Sequence, residues 1–308
     1  MQRARDEAAG GRGFTHLKPP SHLILNLPSP LEPLDDARAA RRGVRILLKR
    51  DDLIHPDLPG NKWRKLAPNL AAARDQGHSM LLTFGGAFSN HLSATAAAGH
   101  YFGFGTVGVV RGEQHLPLNP VLAKAAAFGM RLTYLDRSAY RAKGTPAVLD
   151  PLLEEFGPCY VLPEGGSNAL AVRGCAALVA EIAEPFDAIC CAVGTGGTLA
   201  GIASALGDGR RAVGFAVLKG GGFLRADVAA LQSAGFRRVT GNWSLETGFH
   251  GGGYAKQSPG LVRFATEFEH EHGVRLDPVY EAKMMLGLMT LVESGRFAAG
   301  STVVALLA

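Results

Sequence analysis

The chain has 308 residues, 47% hydrophobic but only 7% aromatic, with 40 glycines and a formal net charge of +5. That length holds two lobes or one large α/β domain, and the composition excludes a disordered or fibrous chain. Lys and Arg are scattered, with no basic run interleaved with aromatics, so the basic excess suits small anions and solubility rather than nucleic acid.

Residues 1–20 are charged and glycine-rich without periodicity, which predicts a disordered tail. Pro28-Ser29-Pro30-Leu31-Glu32-Pro33 is an extended entry to a strand at 44–49, followed by a loop to Gly60. Over 62–75 the spacing of Leu66, Leu70 and Ala71 predicts a helix. Strands and helices then alternate. Strands are expected at 79–84, 105–111, 130–135, 159–162, 188–193 and 212–218. Helices are expected at 92–100, 120–128, 169–184 and 199–206, with a further helical run at 282–289. This alternation predicts an α/β fold with parallel sheets, and ligands at the carboxyl ends of the strands.

No apolar run approaches a membrane span, and the first residues, Met-Gln-Arg-Ala-Arg-Asp-Glu, contain no apolar segment, so a cytoplasmic protein is expected. Cys159, Cys175, Cys190 and Cys191 form neither a Cys-x-x-Cys pair nor a metal-like cluster, and read as small core residues.

Gly60-Asn61-Lys62-Trp63-Arg64-Lys65 places lysines at a glycine-led turn, where a Schiff base to a carbonyl cofactor could form on Lys62 or Lys65. Gly85-Gly86-Ala87-Phe88-Ser89-Asn90-His91 is a second glycine turn. Ser89 or Asn90 there reads equally as a helix N-cap, but the paired glycines favour close approach of a ligand. Gly194-Thr195-Gly196-Gly197-Thr198 follows an apolar strand and opens a helix, a turn whose amides converge on a phosphate. It matches neither the dinucleotide fingerprint nor the P-loop. Asp277-Pro278-Val279-Tyr280-Glu281 reads as a helix start or as a Tyr-Glu pair aimed into a cleft, and Tyr254 follows three glycines. No Gly-x-Ser-x-Gly elbow and no zinc spacing is present.

Six motifs together resemble the pyridoxal-phosphate enzymes of the 1-aminocyclopropane-1-carboxylate deaminase / D-cysteine desulfhydrase family, within the tryptophan-synthase-β-like, fold type II group. They are Lys49-Arg-Asp-Asp-Leu, Gly60-Asn-Lys-Trp-Arg-Lys-Leu, Phe84-Gly-Gly-Ala-Phe-Ser-Asn-His, Pro163-Glu-Gly-Gly-Ser-Asn, Gly194-Thr-Gly-Gly-Thr, and Asp277-Pro-Val-Tyr-Glu with Lys283. The resemblance runs from Pro28 to the last residue. It implies two open α/β lobes, the larger from 21–67 and 166–308, the smaller inserted at 68–165, with pyridoxal 5'-phosphate between them. By the same resemblance Lys62 would hold the cofactor and shuttle protons, and Asn90 would bond its 3′-oxygen. Gly194, Thr195, Gly196, Gly197 and Thr198 would bind its phosphate, and Glu281 would lie near its ring nitrogen. Ser89, Asn90 and His91 would meet the substrate, which Tyr254 and Tyr280 would face. A homodimer acting on a small amino acid is implied as well.

Within this family, aminocyclopropane-carboxylate deaminases carry Glu after the tyrosine and Leu near the C-terminal strand, whereas D-cysteine desulfhydrases carry Thr at both places. This chain has Glu281 and Ala308, with a desulfhydrase-like Ser-Asn-His. It stops at Ala308, without the family's following His-Thr-Gly-Gly or His-Leu-Gly-Gly segment. The expected activity is a D-cysteine desulfhydrase-like α,β-elimination, with aminocyclopropane-carboxylate deamination as the alternative. A cofactor-binding protein with little catalysis, its cofactor ring partly exposed, is the expectation from another class.

Overall fold

The computed structural model describes residues 19–308. The tail expected at 1–20 therefore lies outside the described residues, Pro19 and Pro20 excepted. In chain order the elements are β1 (Leu31–Leu34), α1 (Ala37–Arg41), β2 (Arg45–Arg50), α2 (Gly60–Asp75), β3 (Met80–Gly85), α3 (Asn90–Phe102), β4 (Gly105–Arg111), α4 (Pro120–Ala127), β5 (Arg131–Leu135), α5 (Arg137–Arg141) and α6 (Pro146–Phe156). There follow β6 (Tyr160–Leu162), α7 (Ala169–Ala180), β7 (Ala188–Val193), α8 (Gly197–Ala205), β8 (Arg211–Ala216), α9 (Leu224–Phe236), β9 (Trp243–Glu246), α10 (Pro259–His272), α11 (Glu281–Glu293) and β10 (Thr302–Leu307).

Two sheets result, one in the order β1-β2-β10-β7-β8-β9 and one in the order β5-β4-β3-β6. Every pairing is parallel except that of β1 with β2. Strands such as Ala-Ile-Cys-Cys-Ala-Val in β7 are covered on both faces, so they read as continuous apolar runs. The last strand, β10, is inserted centrally, with Val303 facing Ile46 of β2 on one side and Ala188 of β7 on the other.

Several boundaries differ from expectation. Lys62 lies inside the first turn of α2, which already begins at Gly60. Gly197 and Thr198 belong to α8, because their backbones turn helical directly after Gly196, which has φ +84°. The helix expected to run to 184 stops at Ala180, where Glu181 caps it, a few residues before Pro185. Helix α6 was not assigned from the sequence; it starts with Pro146, where proline is tolerated in the first turn, and it also carries Pro151 in its interior.

Helix α2 crosses α7 closely because of two residues that lack something. Pro68 has no N–H for the carbonyl of Arg64 four residues earlier, and Gly174 of α7 packs onto that carbonyl. A Cβ at Gly174 would lie 2.0 Å from the Arg64 oxygen. On the other side of α7, a Cβ at Gly201 of α8 would lie 2.4 Å from the Val172 oxygen. The helix bearing Lys62 and the helix opening after the glycine turn are thus stacked on one intermediary.

A buried ion cluster ties these helices to the larger sheet. Arg64 donates to both oxygens of Asp51, at 2.5 and 2.7 Å, and to both of Glu181, at 2.7 and 2.8 Å. Lys49, fully buried, adds a bond to Glu181 at 2.9 Å, and Ser29 donates to Asp51 at 2.5 Å. Burial would raise the Glu181 carboxyl, but the bonds from Arg64 and Lys49 outweigh it and hold the group down at about 2. With a folded value below the ordinary 4.5, this stabilisation is complete above about pH 4.5 and is lost as pH falls toward 2. Glu181→Gln is expected to lower stability at pH 7 by about 3 kcal/mol and to flatten the acid limb of a denaturant-midpoint series against pH.

Candidate active site

Lys62 sits at the start of α2 because Gly60 lets the chain pass the end of β10. Gly60 has φ +54°, and a Cβ there would lie 2.4 Å from the Ala308 Cα. Asn61 bonds Thr198 of α8 at 3.0 Å and accepts from Lys62 Nζ. That ammonium lies 5.6 Å from the Tyr280 ring centroid and forms no salt bridge among the described residues. Burial, then the charge of Lys65, lowers the Lys62 amine to about 8. A measurable free-base fraction is therefore present at neutral pH.

Lys65, one turn on and also buried, donates to Gly165 O and Ser167 Oγ, each at 3.1 Å. Both acceptors are neutral, and burial lowers its pKa. Ser167 Oγ in turn lies 2.6 Å from Thr195 Oγ1. A Cβ at Gly197 would lie 2.6 Å from Ser167 Oγ and 3.3 Å from Lys65 Nζ, so glycine keeps this space open. A buried cation with only neutral partners, several hydroxyls and the N-terminus of α8 together form a donor set for a phosphate dianion. Residue types and glycine spacing offered Lys65 only as a Schiff-base candidate and gave Ser167 no role in the phosphate site. The three-residue step from Lys62 to Lys65, which puts both on one helix face, was the available signal.

In the turn between β3 and α3, Ser89 occupies the N-cap position but makes no side-chain capping bond, and its hydroxyl has no hydrogen-bond partner among the described residues. A Cβ at Gly85 would lie 2.7 Å from that hydroxyl. His91 is buried rather than at the surface. Thr83 Oγ1 gives its hydrogen to Leu162 O at 3.1 Å, so it accepts from His91 Nε2 at 2.9 Å. Burial, then the charges of Lys65 and Lys62, lowers the imidazole to about 3, and its Nδ1 has no hydrogen-bond partner among the described residues.

Tyr254 and Tyr280 meet with hydroxyls 3.0 Å apart. Burial raises both phenols, which remain protonated. Glu281 opens α11, accepts from Asp277 N at 2.8 Å and Ala308 N at 2.6 Å, and is pushed up to about 8 by burial. Lys62, Lys65, Ser89, Thr195, Tyr254 and Tyr280 all line one cavity of about 770 Å³. Asn90 does not; it lines an adjoining cavity of about 520 Å³ that shares Lys62, Glu281 and Ala308 with the first. All four cysteines are buried and free, and among the described residues no helix is long and apolar enough to cross a membrane.

Residues 24–308 match the family described as pyridoxal-phosphate dependent enzyme. A bifunctional D-cysteine desulfhydrase/1-aminocyclopropane-1-carboxylate deaminase of Arabidopsis thaliana is 31% identical over 89% of this chain and 75% of its own length. The chain belongs to this family of pyridoxal-phosphate enzymes. A putative 1-aminocyclopropane-1-carboxylate deaminase of Thermotoga maritima is 32% identical over 81% of this chain and 84% of its own. The crystal structure of an ACC deaminase homologue superposes with a TM-score of 0.82 at 27% identity, covering 92% of this chain and 90% of that one. The two parallel-sheet lobes are those of the fold type II enzymes, and pyridoxal phosphate is the cofactor. The donor set around Gly197 suits the phosphate of that cofactor, and the lowered amine of Lys62 suits its carbonyl.

Only the free amine reacts with a carbonyl, so borohydride trapping of pyridoxal phosphate on Lys62, followed by peptide mass, should rise with pH through about 8 rather than 10.5. Lys65→Met removes the neighbouring charge and should move that inflection upward. Gly197→Ala places a methyl against Ser167. At an overpacking cost of about 1–3 kcal/mol, pyridoxal phosphate should bind about tenfold or more weakly in an absorbance titration.

Proposed function

We propose that this pyridoxal-phosphate enzyme is a D-cysteine desulfhydrase-like lyase that eliminates the β-substituent of a small amino acid, yielding a 2-oxo acid, ammonia and, from D-cysteine, sulfide. The supporting observation is the Tyr254–Tyr280 hydroxyl pair, 3.0 Å apart, with the Lys62 amine against the Tyr280 ring in one cavity. That arrangement sets a base and a protonated acid side by side, as an elimination requires.

When bound, the cofactor supplies the electron sink for the substrate's Cα. Lys62 holds it and then moves the Cα proton. Gly194, Thr195, Gly196, Gly197 and Thr198, with Lys65, receive its phosphate, Asn90 its 3′-oxygen and Glu281 its ring nitrogen. Ser89 and the first amides of α3, at Asn90 and His91, take the substrate carboxylate at a helix N-terminus. Tyr254 and Tyr280 give a proton to the departing sulfur. The Cα–H and Cβ–S bonds break, and water completes the conversion to oxo acid and ammonia. In this reading the cofactor lies between a lobe of 21–67 with 166–308 and an inserted lobe of 68–165. The protein acts in the cytoplasm as a homodimer.

A second reading, aminocyclopropane-carboxylate ring opening, is favoured by the buried acid of Glu281, the residue type that such deaminases carry. A turnover screen with D-cysteine, L-cysteine, D-serine and aminocyclopropane carboxylate, measuring oxo acid, ammonia and sulfide, separates the two. Sulfide from D-cysteine, lost in Lys62→Ala, is expected. Ammonia from the cyclopropane alone would replace the first reading by the second. A cofactor absorbance that no amino acid perturbs would leave a binding protein with little catalysis.

A further inference from the structure

Helix α11 carries Tyr280 at its N-cap and Lys283 one turn further on. Lys283 is fully buried, and its ammonium makes no salt bridge among the described residues. It donates instead to two backbone carbonyls, Val217 O at 3.0 Å and Gly253 O at 2.8 Å. Val217 directly follows β8, and Gly253 directly precedes Tyr254.

Apart from the Tyr254–Tyr280 contact, the segment carrying Tyr254 has few other bonds among the described residues. Gly251, Gly252 and Gly253 have φ of +62°, +99° and +135°, and Ala255 has φ +54°, so Tyr254 lies between backbones that ordinary residues avoid. Its own bonds are short-range: Gly253 N to His250 O, Lys256 N to Gly253 O, and Gly252 N to His250 Nδ1. A Cβ at Gly251 would lie 3.3 Å from Lys283 Cε, so the loop is moulded around the lysine stem. A methionine would fill the same volume without burying an ammonium, whose desolvation is costly unless its hydrogens are used.

We infer that Lys283 is the positioning residue for Tyr254. It grips the carbonyl before Tyr254 so that this hydroxyl stays at 3.0 Å from that of Tyr280, which the same helix presents. One helical turn, Tyr280 to Lys283, thus sets both halves of the tyrosine pair. The inference rests on the proposed role of Tyr254 in turnover, and the first measurement below does not need that role.

In the holoenzyme, Lys283→Met should speed amide exchange about tenfold or more in the peptide covering residues 249–257, and leave the α2 and α8 peptides and the cofactor absorbance unchanged. The kcat should fall about tenfold with KM altered less than about threefold, and the Tyr254→Phe, Lys283→Met double variant should be no slower than Tyr254→Phe alone. Unchanged exchange in the loop, or costs that multiply in the double variant, would overturn the inference. If Lys283→Met does not fold, Lys283→Gln, with a shorter donor, is read in the same two ways. An inactive wild type with a loosened loop in the variant would refute the activity while leaving the grip on the loop intact.

Discussion

Three cations, Lys62, Arg64 and Lys65, are buried within the first two turns of α2, and the site depends on how each charge is accommodated. Arg64 finds two carboxylates, Asp51 and Glu181, and becomes an anchor. Among the described residues Lys65 finds only a carbonyl and a hydroxyl, so its charge is left for an anion beside the glycine turn. Lys62 is lowered by burial and then by the neighbouring charge of Lys65, with only a side-chain amide oxygen to accept from it, so it gives up its proton more readily than an exposed lysine. One short stretch of helix therefore supplies an anchor, an anion receptor and a nucleophile. Environment separates residues of the same charge into these roles.

That division holds only if α2 stays in place against its neighbours. Gly174 and Gly201 allow α2 and α8 to approach α7 at distances no side chain would permit, and the Asp51–Arg64–Glu181 cluster sets the rotation of α2. Asn61 then joins the turn of Lys62 to Thr198 across the gap. Because interiors are close-packed, such contacts convey position accurately from the sheet to the site. The opposite wall is built by another means. There a single helix, α11, presents Tyr280 and Glu281 at its start, and a glycine loop brings in Tyr254.

Much of this was legible from residue types and spacing. Alternating apolar runs and glycine turns predicted the parallel strands and the helices after them, and the run at 105–111 coincides with β4. The motifs around Lys62, Gly194 and Glu281 pointed to pyridoxal phosphate through the family resemblance they carry. Other features were hidden. A strand at the end of the chain, β10, lies at the sheet's centre, a pairing that no local pattern encodes. His91, which the resemblance placed against the substrate, is buried, with one ring nitrogen lacking a partner among the described residues. Helix α6, which carries Pro151 in its interior, was not assigned from the sequence.

By itself the sequence determined the local chemistry: an amine beside a glycine, amides able to converge after β7, a hydroxyl at the head of a helix, and the periodicities that build two parallel sheets. These are properties of neighbours along the chain, where backbone freedom and apolar spacing act over a few residues. Only the tertiary structure decided which charges are compensated. Arg64 anchors because Asp51 and Glu181 reach it, with Glu181 lying 117 residues away, whereas Lys62 is lowered to about 8 by burial and then by the charge of Lys65. Likewise Tyr254 and Tyr280, 26 residues apart, share a hydrogen bond only because a loop folds onto α11. Electrostatic and hydrogen-bond energies depend on distance and burial in space, and chain order fixes neither.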